Sequence, residues 1–212
     1  MKDKLHNFNN PIILLGNGIP PKNPAILKKF KIANSIICLD GAADKLISIG
    51  LKPDIILGDL DSLAMDQEEY PCELVLLDDQ SKNDLEKCLS WCCEIGITEL
   101  SLIGFTGGRD DHTMSNLWVI LSYAHKIKLV IYTDYSTIYC VKNKSSFKTL
   151  PGQIVSIIAP DKDIKITTTG LEYQINNSNL ISPSNGISNV ANNKTCTIQS
   201  TDWVWVFLNH TK

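Results

Sequence analysis

Short unbroken apolar runs mark the first 133 residues: Pro11–Leu15, Ser35–Leu39, Asp54–Leu57, Glu73–Leu77, Glu99–Ile103 and Lys128–Tyr132. Runs this brief and continuous predict strands buried on both faces, as in a parallel sheet. Between several of them the polar and apolar residues suit helices, predicted over Pro24–Ala33, Ala42–Ile49, Asn83–Ile95 and Asp110–Ala124. Asn83 and Asp110 fall at N-cap or first-turn positions, and Gly50 and Gly96 fall where helices stop. The alternation predicts an α/β fold: a mostly parallel sheet flanked by helices.

From about Ser136 the helical period is lost. Segments rich in Thr, Ile, Val, Ser and Asn follow, at Gln153–Ile158, Ile164–Thr168, Leu171–Ile175, Thr195–Gln199 and Trp203–Leu208. Pro151-Gly152, Asn176-Asn177 and Ser184-Asn185-Gly186 separate them as turns. A small all-β unit is expected here, a sandwich. The expected division is therefore 1–135 for the α/β domain and 136–212 for the β domain, with the boundary in the 134–150 region and no internal repeat. Trp203 and Trp205 share a face by strand period, which suits core or a dimer interface.

Composition narrows the function classes. The chain has 212 residues, 43% hydrophobic and 20% charged, with a formal net charge of −3. That is a globular balance without the basic footprint of a nucleic-acid or anionic-membrane binder. The apolar run at Ile12–Leu15 is too short for a signal segment or a membrane span. Seven cysteines, an odd number with no CxxC, argue against a disulfide framework or a zinc site and for a reducing compartment; a cytoplasmic location is expected. Arg109 is the only arginine. A lysine-biased genome would produce this, yet the lone guanidinium also marks a place where a planar fork serves and an ammonium does not.

The candidate chemistry gathers at the ends of the predicted strands, each of which runs into Gly, Asp or both. In open α/β sheets that carboxyl edge is where ligands bind. Gly58-Asp59-Leu60-Asp61-Ser62 places two carboxylates at i and i+2, pointing the same way and suited to Mg²⁺; a solvated turn is the alternative. Asp40-Gly41-Ala42 is a strand-to-helix turn with room for a close ligand, or simple structural punctuation. Gly107-Gly108-Arg109-Asp110-Asp111-His112 opens a helix that carries Asn116. Paired glycines before a helix start, with a forked cation beside them, suit phosphate; a plain helix cap is the alternative. In Asp78-Asp79-Gln80-Ser81-Lys82-Asn83-Asp84-Leu85-Glu86-Lys87, Asp84 and Lys87 share a helix face, where one could join the carboxylate cluster and the other reach a phosphate; a plain surface helix is the equal alternative. There is no GxxxxGK[ST], GxSxG or HExxH, and Gly16-Asn17-Gly18 lacks the third glycine of a dinucleotide fingerprint and reads as a loop.

Taken in this order, the elements closely resemble thiamine pyrophosphokinase. The matching stretches are the Asp40-Gly41-Ala42 turn, Pro53-Asp54 followed by GDLDS at 58–62, and the Gln80…Asn83-Asp84…Lys87 segment. They continue with GGRDDHTMSN at 107–116, TTGLEY at 168–173 and GISN at 186–189. The sequence departs from the family at Ser81, where many relatives are acidic, at Asn83, where threonine is common, and at Val190, where bacterial relatives often carry Glu. The resemblance implies transfer of the pyrophosphoryl group of ATP to the thiamine hydroxyl with Mg²⁺, releasing AMP. It implies that Asp59, Asp61 and Asp84 hold the metal, and that Arg109 and Asp111 join them as catalytic residues. Asp40, Gly41, Ser62, Lys87, Arg109, Asp111, His112 and Asn116 would bind ATP. Gln80, Asn83, Tyr173, Ser188 and Asn189 would bind thiamine, in a homodimer whose thiamine site draws on the α/β domain of one subunit and the β domain of the other. The proton acceptor for the thiamine hydroxyl is left open between an aspartate and the phosphate itself. Two other classes remain: another Mg²⁺-dependent transferase using a nucleotide, and a non-catalytic nucleotide- or thiamine-binding regulator.

Overall fold

A computed structural model describes residues 8–210. The chain divides into two compact units after Thr133. In the first unit the order is β1 (Ile12–Leu15), α1 (Pro24–Ile32), β2 (Ser35–Leu39), α2 (Ala42–Ser48), β3 (Ile55–Gly58), β4 (Glu73–Leu76), α3 (Asp84–Glu94), β5 (Glu99–Ile103), α4 (Asp110–Tyr123) and β6 (Lys128–Tyr132).

The apolar runs explain the sheet. Every residue of β1, β2 and β3 is buried, so these strands sit in the middle and are covered on both faces. β1 pairs parallel with β2 on one edge and with β5 on the other. β2 continues to β3 and β3 to β4, while β5 continues to β6, all in parallel register. The chain thus winds outward from β1 in one direction, returns, and winds outward in the other. That reversal between β1 and β5 is a topological switch point, where the loops leaving the two strands part and open a crevice.

The helices cover the faces for local reasons. α1 begins with Pro24 after Asn23, whose side chain accepts from the Ala25 amide at 2.9 Å, and it buries Ile26 and Phe30. α2 buries Ala42, Ala43 and Leu46, the two alanines letting the helix lie close to β2. α3 is capped by Asn83, which accepts from the Glu86 amide at 2.9 Å. Gly50 and Gly96 have φ of +80° and +83° and follow the last residues of α2 and α3, the left-handed conformation in which helices stop.

The second unit holds β7 (Ser136–Lys148), β8 (Ile154–Ile158), β9 (Lys165–Thr169), β10 (Ser178–Asn179), β11 (Asn189–Val190) and β12 (Thr195–Asn209). β7 and β12 pair antiparallel along their lengths, with a break in register between Ser200 and Val204. On its other edge β12 pairs with β9 before the break and with β8 after it. The irregularity lets one long strand serve two partners. Val155, Ile157, Ile166, Cys196, Ile198, Val204 and Val206 form the centre of its core.

The α/β half and the strand-rich remainder match the sequence pattern, but details of the second unit differ. β7 occupies the zone read as a boundary, and Leu171–Ile175 forms a single bridge, Leu171 to Ala191, instead of a strand. The two expected strands 195–199 and 203–208 are one. Trp205 is buried and Trp203 half-buried.

Candidate active site

The carboxyl ends of the parallel strands surround a cavity of about 350 Å³. Asn17 and Gly18 follow β1, Asp40 follows β2, Ser62 lies after β3, and Gly104, Phe105 and Thr106 follow β5; the starts of α3 and α4 close the rim. It sits at the switch point between β1 and β5, where such folds take ligands.

Asp40 is the most constrained residue there. It is buried, has φ of +39°, and its Oδ1 accepts from the Leu60 amide at 2.8 Å. Burial pushes its pKa up to about 6; the Leu60 amide opposes the rise, and the nearby charges of Asp84, Asp59 and Asp61 add to it. Gly58 permits this packing, because a Cβ on it would overlap the Asp40 carboxylate. Ser62 Oγ accepts from the Gly41 amide at 3.2 Å. The turn after β2 is therefore tied to the loop that carries Asp59 and Asp61.

Asp59 and Asp61 lie beside each other as the i, i+2 spacing predicts. A hydrogen bond between the two carboxyls, and then their mutual repulsion, raise the Asp61 pKa. Lys87, with a buried side chain, stands 3.3 Å from Asp84 Oδ1 and 3.7 Å from Asp59 Oδ2. Burial opposes its charge, but the Asp84 hydrogen bond and the charges of Asp84, Asp59 and Asp40 outweigh burial and hold its pKa above the usual value. Asp84 and Asp59 thus pair with one ammonium, and Asp40 and Asp61 lie near enough to interact with its charge. Among the described residues no three Asp, Glu, His or Cys side chains stand together as a finished metal cage. The donor set nonetheless suits Mg²⁺. Its ligands are all hard oxygens, and a divalent cation would offset the repulsion between neighbouring carboxylates.

On the opposite rim, Arg109 precedes α4 and grips Asp111 with two bonds, Nε to Oδ1 at 3.1 Å and Nη2 to Oδ2 at 2.6 Å. That contact lowers the Asp111 pKa and raises that of Arg109. Both side chains are well exposed, 73% and 64%, so the fork is accessible. Asn116 donates to the Phe105 carbonyl at 3.0 Å, joining α4 to the loop after β5. The His112 amide donates to Asp111 Oδ1 at 3.0 Å.

Of the residues singled out in the sequence, Asp40, Ser62, Asn83, Asp84, Arg109, His112 and Asn116 line the cavity. Gly41, Lys87 and Asp111 each bond a lining residue, whereas Asp59 connects to the lining through Lys87 and Asp61 through Asp59. Asn83 serves as the α3 cap, and its Nδ2 donates to Ser115 Oγ at 3.3 Å. Gln80 is exposed, with Nε2 3.4 Å from Asp78 Oδ1. Tyr173, Ser188 and Asn189 belong to the second unit. Tyr173 is 67% exposed, so it is not a core aromatic. Asn189 is buried and fully engaged: Oδ1 accepts from the Tyr173 and Val190 amides, and Nδ2 donates to the Tyr173 carbonyl at 2.6 Å. Its carboxamide shapes the loop that presents Tyr173. Sequence reasoning missed Asn17, Gly18, Phe105, Thr106 and Thr113 as lining residues; the signal that would have found them is the position of two of these loops on either side of the switch point.

Comparison with known proteins gives two family matches. Residues 27–131 match the thiamin pyrophosphokinase catalytic domain, and residues 137–205 match the thiamin pyrophosphokinase vitamin B1 binding domain. The chain is 26% identical to thiamine pyrophosphokinase 1 of Oryza sativa subsp. japonica, over 92% of this chain and 85% of the relative. In fold it is similar to the crystal structure of thiamine pyrophosphokinase from Bacillus subtilis, with a TM-score of 0.76, 22% identity, and coverage of 95% and 99% of the two chains. It is also similar to thiamin pyrophosphokinase from Candida albicans, with a TM-score of 0.79, 15% identity, and coverage of 100% and 95%.

Proposed function

This chain belongs to the thiamin pyrophosphokinase family, and we propose that it transfers the pyrophosphoryl group of ATP to the hydroxyl of thiamine, giving thiamine diphosphate and AMP. The observation that carries the reading at the level of residues is a buried Lys87 paired with Asp59 and Asp84, with Asp40 and Asp61 in electrostatic reach, beside the cavity at the switch point. Group transfer between phosphates and alcohols needs positioning and charge neutralisation more than covalent help.

In this reading Asp59, Asp61 and Asp84 hold Mg²⁺, which when bound neutralises phosphate charge. Lys87, fixed between carboxylates in a buried position, is restricted to one direction and presents its ammonium to a phosphate oxygen. Arg109, poised by Asp111, offers its remaining donors to the triphosphate; a planar fork matches two phosphate oxygens where a lysine would meet one. Asp40 holds the Asp59–Asp61 loop through Leu60, and Gly41 and Ser62 link that loop to the start of α2. His112 and Asn116 line the nucleotide side of the cavity. Gln80 and Asn83 serve the thiamine side, with Tyr173 offering an exposed ring face, Ser188 a hydroxyl, and Asn189 the bonds that set Tyr173 in place. The second unit is read as a sandwich-like thiamine-binding domain over 136–212, following an ATP-binding domain over 1–135. The assembly is read as a cytoplasmic homodimer, to which seven free cysteines are suited. Among the described residues no helix is long and apolar enough to cross a membrane.

The test is incubation with ATP, Mg²⁺ and thiamine, with nucleotide products resolved chromatographically. Thiamine-dependent AMP is expected. ADP instead, or AMP independent of thiamine, would refute the assignment. Asp61→Asn should lower turnover by about 10²-fold or more while leaving the circular dichroism unchanged; full turnover would remove Asp61 from the metal role.

A further inference from the structure

Lys45 has no place in the chemistry described so far, yet it makes the closest contacts of any lysine with the cavity wall. It sits in the middle of α2, half-buried, and its Nζ donates to the Asn17 carbonyl at 2.7 Å and to the Gly18 carbonyl at 3.0 Å. A surface lysine ordinarily keeps its ammonium in water. Here burial lowers the pKa, and no carboxylate offsets it. The ammonium is committed to two backbone oxygens of the loop that leaves β1.

That loop is held on its other side by β5. The Gly16 amide donates to the Ile103 carbonyl and the Gly18 amide to the Gly104 carbonyl, both at 2.8 Å. Gly18 lies so close that a Cβ on it would overlap the Gly104 carbonyl. With a glycine on each side of Asn17, the segment has little conformational preference of its own. Two bonds toward β5 fix one edge, and Lys45 fixes the other. Asn17 and Gly18 form the wall of the cavity at the switch point, so the width of the cavity is set between the β5 loop and the Lys45 ammonium.

We infer that Lys45 is a positioning residue for ATP: through the Asn17 and Gly18 carbonyls it holds the β1 side of the nucleotide cavity at binding width. This rests on the proposed ATP role of the cavity. Lys45 itself touches no reacting atom, so its loss weakens nucleotide binding and leaves the transfer step alone.

Full-length protein carrying Lys45→Met or Lys45→Arg tests this by ATP titration calorimetry and by steady-state kinetics for both substrates. Losing two charge-assisted bonds predicts ATP affinity weaker by about tenfold in Lys45→Met, with the KM for ATP rising in parallel. The kcat and the KM for thiamine should stay within about threefold of the unmutated values. Lys45→Arg keeps a cationic donor and should recover most of the ATP affinity. Unchanged ATP affinity in Lys45→Met would overturn the inference, as would equal weakening for both substrates accompanied by a lower unfolding temperature. If the unmutated chain binds ATP but releases no thiamine-dependent AMP, the reaction assignment fails while the Lys45 inference stands on the calorimetry; if it binds no ATP, both fail.

Discussion

Replacing Gly58 with alanine probes the packing that holds the acidic loop in shape. Gly58 ends β3 with φ of +154°, and a methyl there would overlap both oxygens of the Asp40 carboxylate. Asp40 cannot retreat cheaply: it is buried, and its Oδ1 bonds the Leu60 amide at 2.8 Å. Overpacking of this kind costs about 1–3 kcal/mol, and breaking a hydrogen bond to a charged group roughly 1.5–3 kcal/mol more. Gly58→Ala should therefore destabilise the protein by roughly 3–6 kcal/mol, a large share of the about 5–15 kcal/mol available to a folded protein. Urea unfolding followed by tryptophan fluorescence measures it. The decisive comparison is with an Asp40→Ala background, where the obstruction is gone and the added methyl should cost only a backbone penalty of about 1 kcal/mol. Equal costs in both backgrounds, or a cost below about 1 kcal/mol in the natural one, would show that the Gly58–Asp40 contact does not set the loop.

Three further outcomes are expected. Arg109→Lys should lower kcat by about 10²-fold with an unchanged melting temperature, since the ammonium cannot reproduce the fork and the exposed site does not stabilise the fold; turnover near the natural value would place the guanidinium outside the reaction. Tyr173→Ala should raise the KM for thiamine about tenfold while urea stability holds, because the ring is largely solvent-exposed; a drop in stability would instead make it a packing residue. Burial pushes the Cys72 thiol up to about 11 and the Cys140 thiol up to about 12, so both carry about a thousandth or less of thiolate at pH 8. A disulfide reagent should therefore label these half-buried thiols slowly at pH 8 and faster after denaturant is added, and native labelling of Cys140 as fast as that of a free thiol would contradict its raised pKa.

How much of this was legible in the sequence depended on whether the signal was local. Strands buried on both faces leave unbroken apolar runs, so β1, β2 and β3 stood out. β4, β5 and β6 carry similar runs although β4, at the sheet edge, is only half-buried with Leu76 exposed, and Asn83 and Gly96 marked the ends of α3 by their own backbone chemistry. β7 was not legible. Between its buried residues Val141 and Phe147 lie only Lys, Asn and Ser, and it is held in place by β12, about fifty to seventy residues later in the chain. Leu171–Ile175 failed for the opposite reason: it has strand composition, but only Leu171 forms a ladder bridge, and the backbone of Tyr173 and Ile175 bonds to side chains instead. At the site, Asp59 and Asp61 could be paired because two-residue spacing is a local matter. Asn189 was placed with thiamine only by the resemblance; whether a carboxamide meets a ligand or its own backbone depends on which amides the fold brings to it, here those of Tyr173 and Val190.

The same distinction explains the turn after β2. As a sequence, Asp40-Gly41-Ala42-Ala43-Asp44-Lys45 is an ordinary strand-to-helix junction. In the fold it is a common anchor for the loops on both sides. Asp40 holds Leu60, the Gly41 amide holds Ser62, and Asp44 accepts from the Ala64 amide at 3.1 Å and from the Tyr70 hydroxyl at 2.5 Å. Successive helix residues point about 100° apart, so Asp44 and Lys45 diverge, one toward the loop after β3 and the other toward the loop after β1. Because β2 lies between β1 and β3 in the sheet, the helix leaving it is within reach of both neighbouring loops. A central strand followed at once by a helix carrying one acid and one base is therefore enough to fix the acidic loop and the opposite cavity wall relative to each other. The chemistry of the site rests on that short turn as much as on the carboxylates it positions.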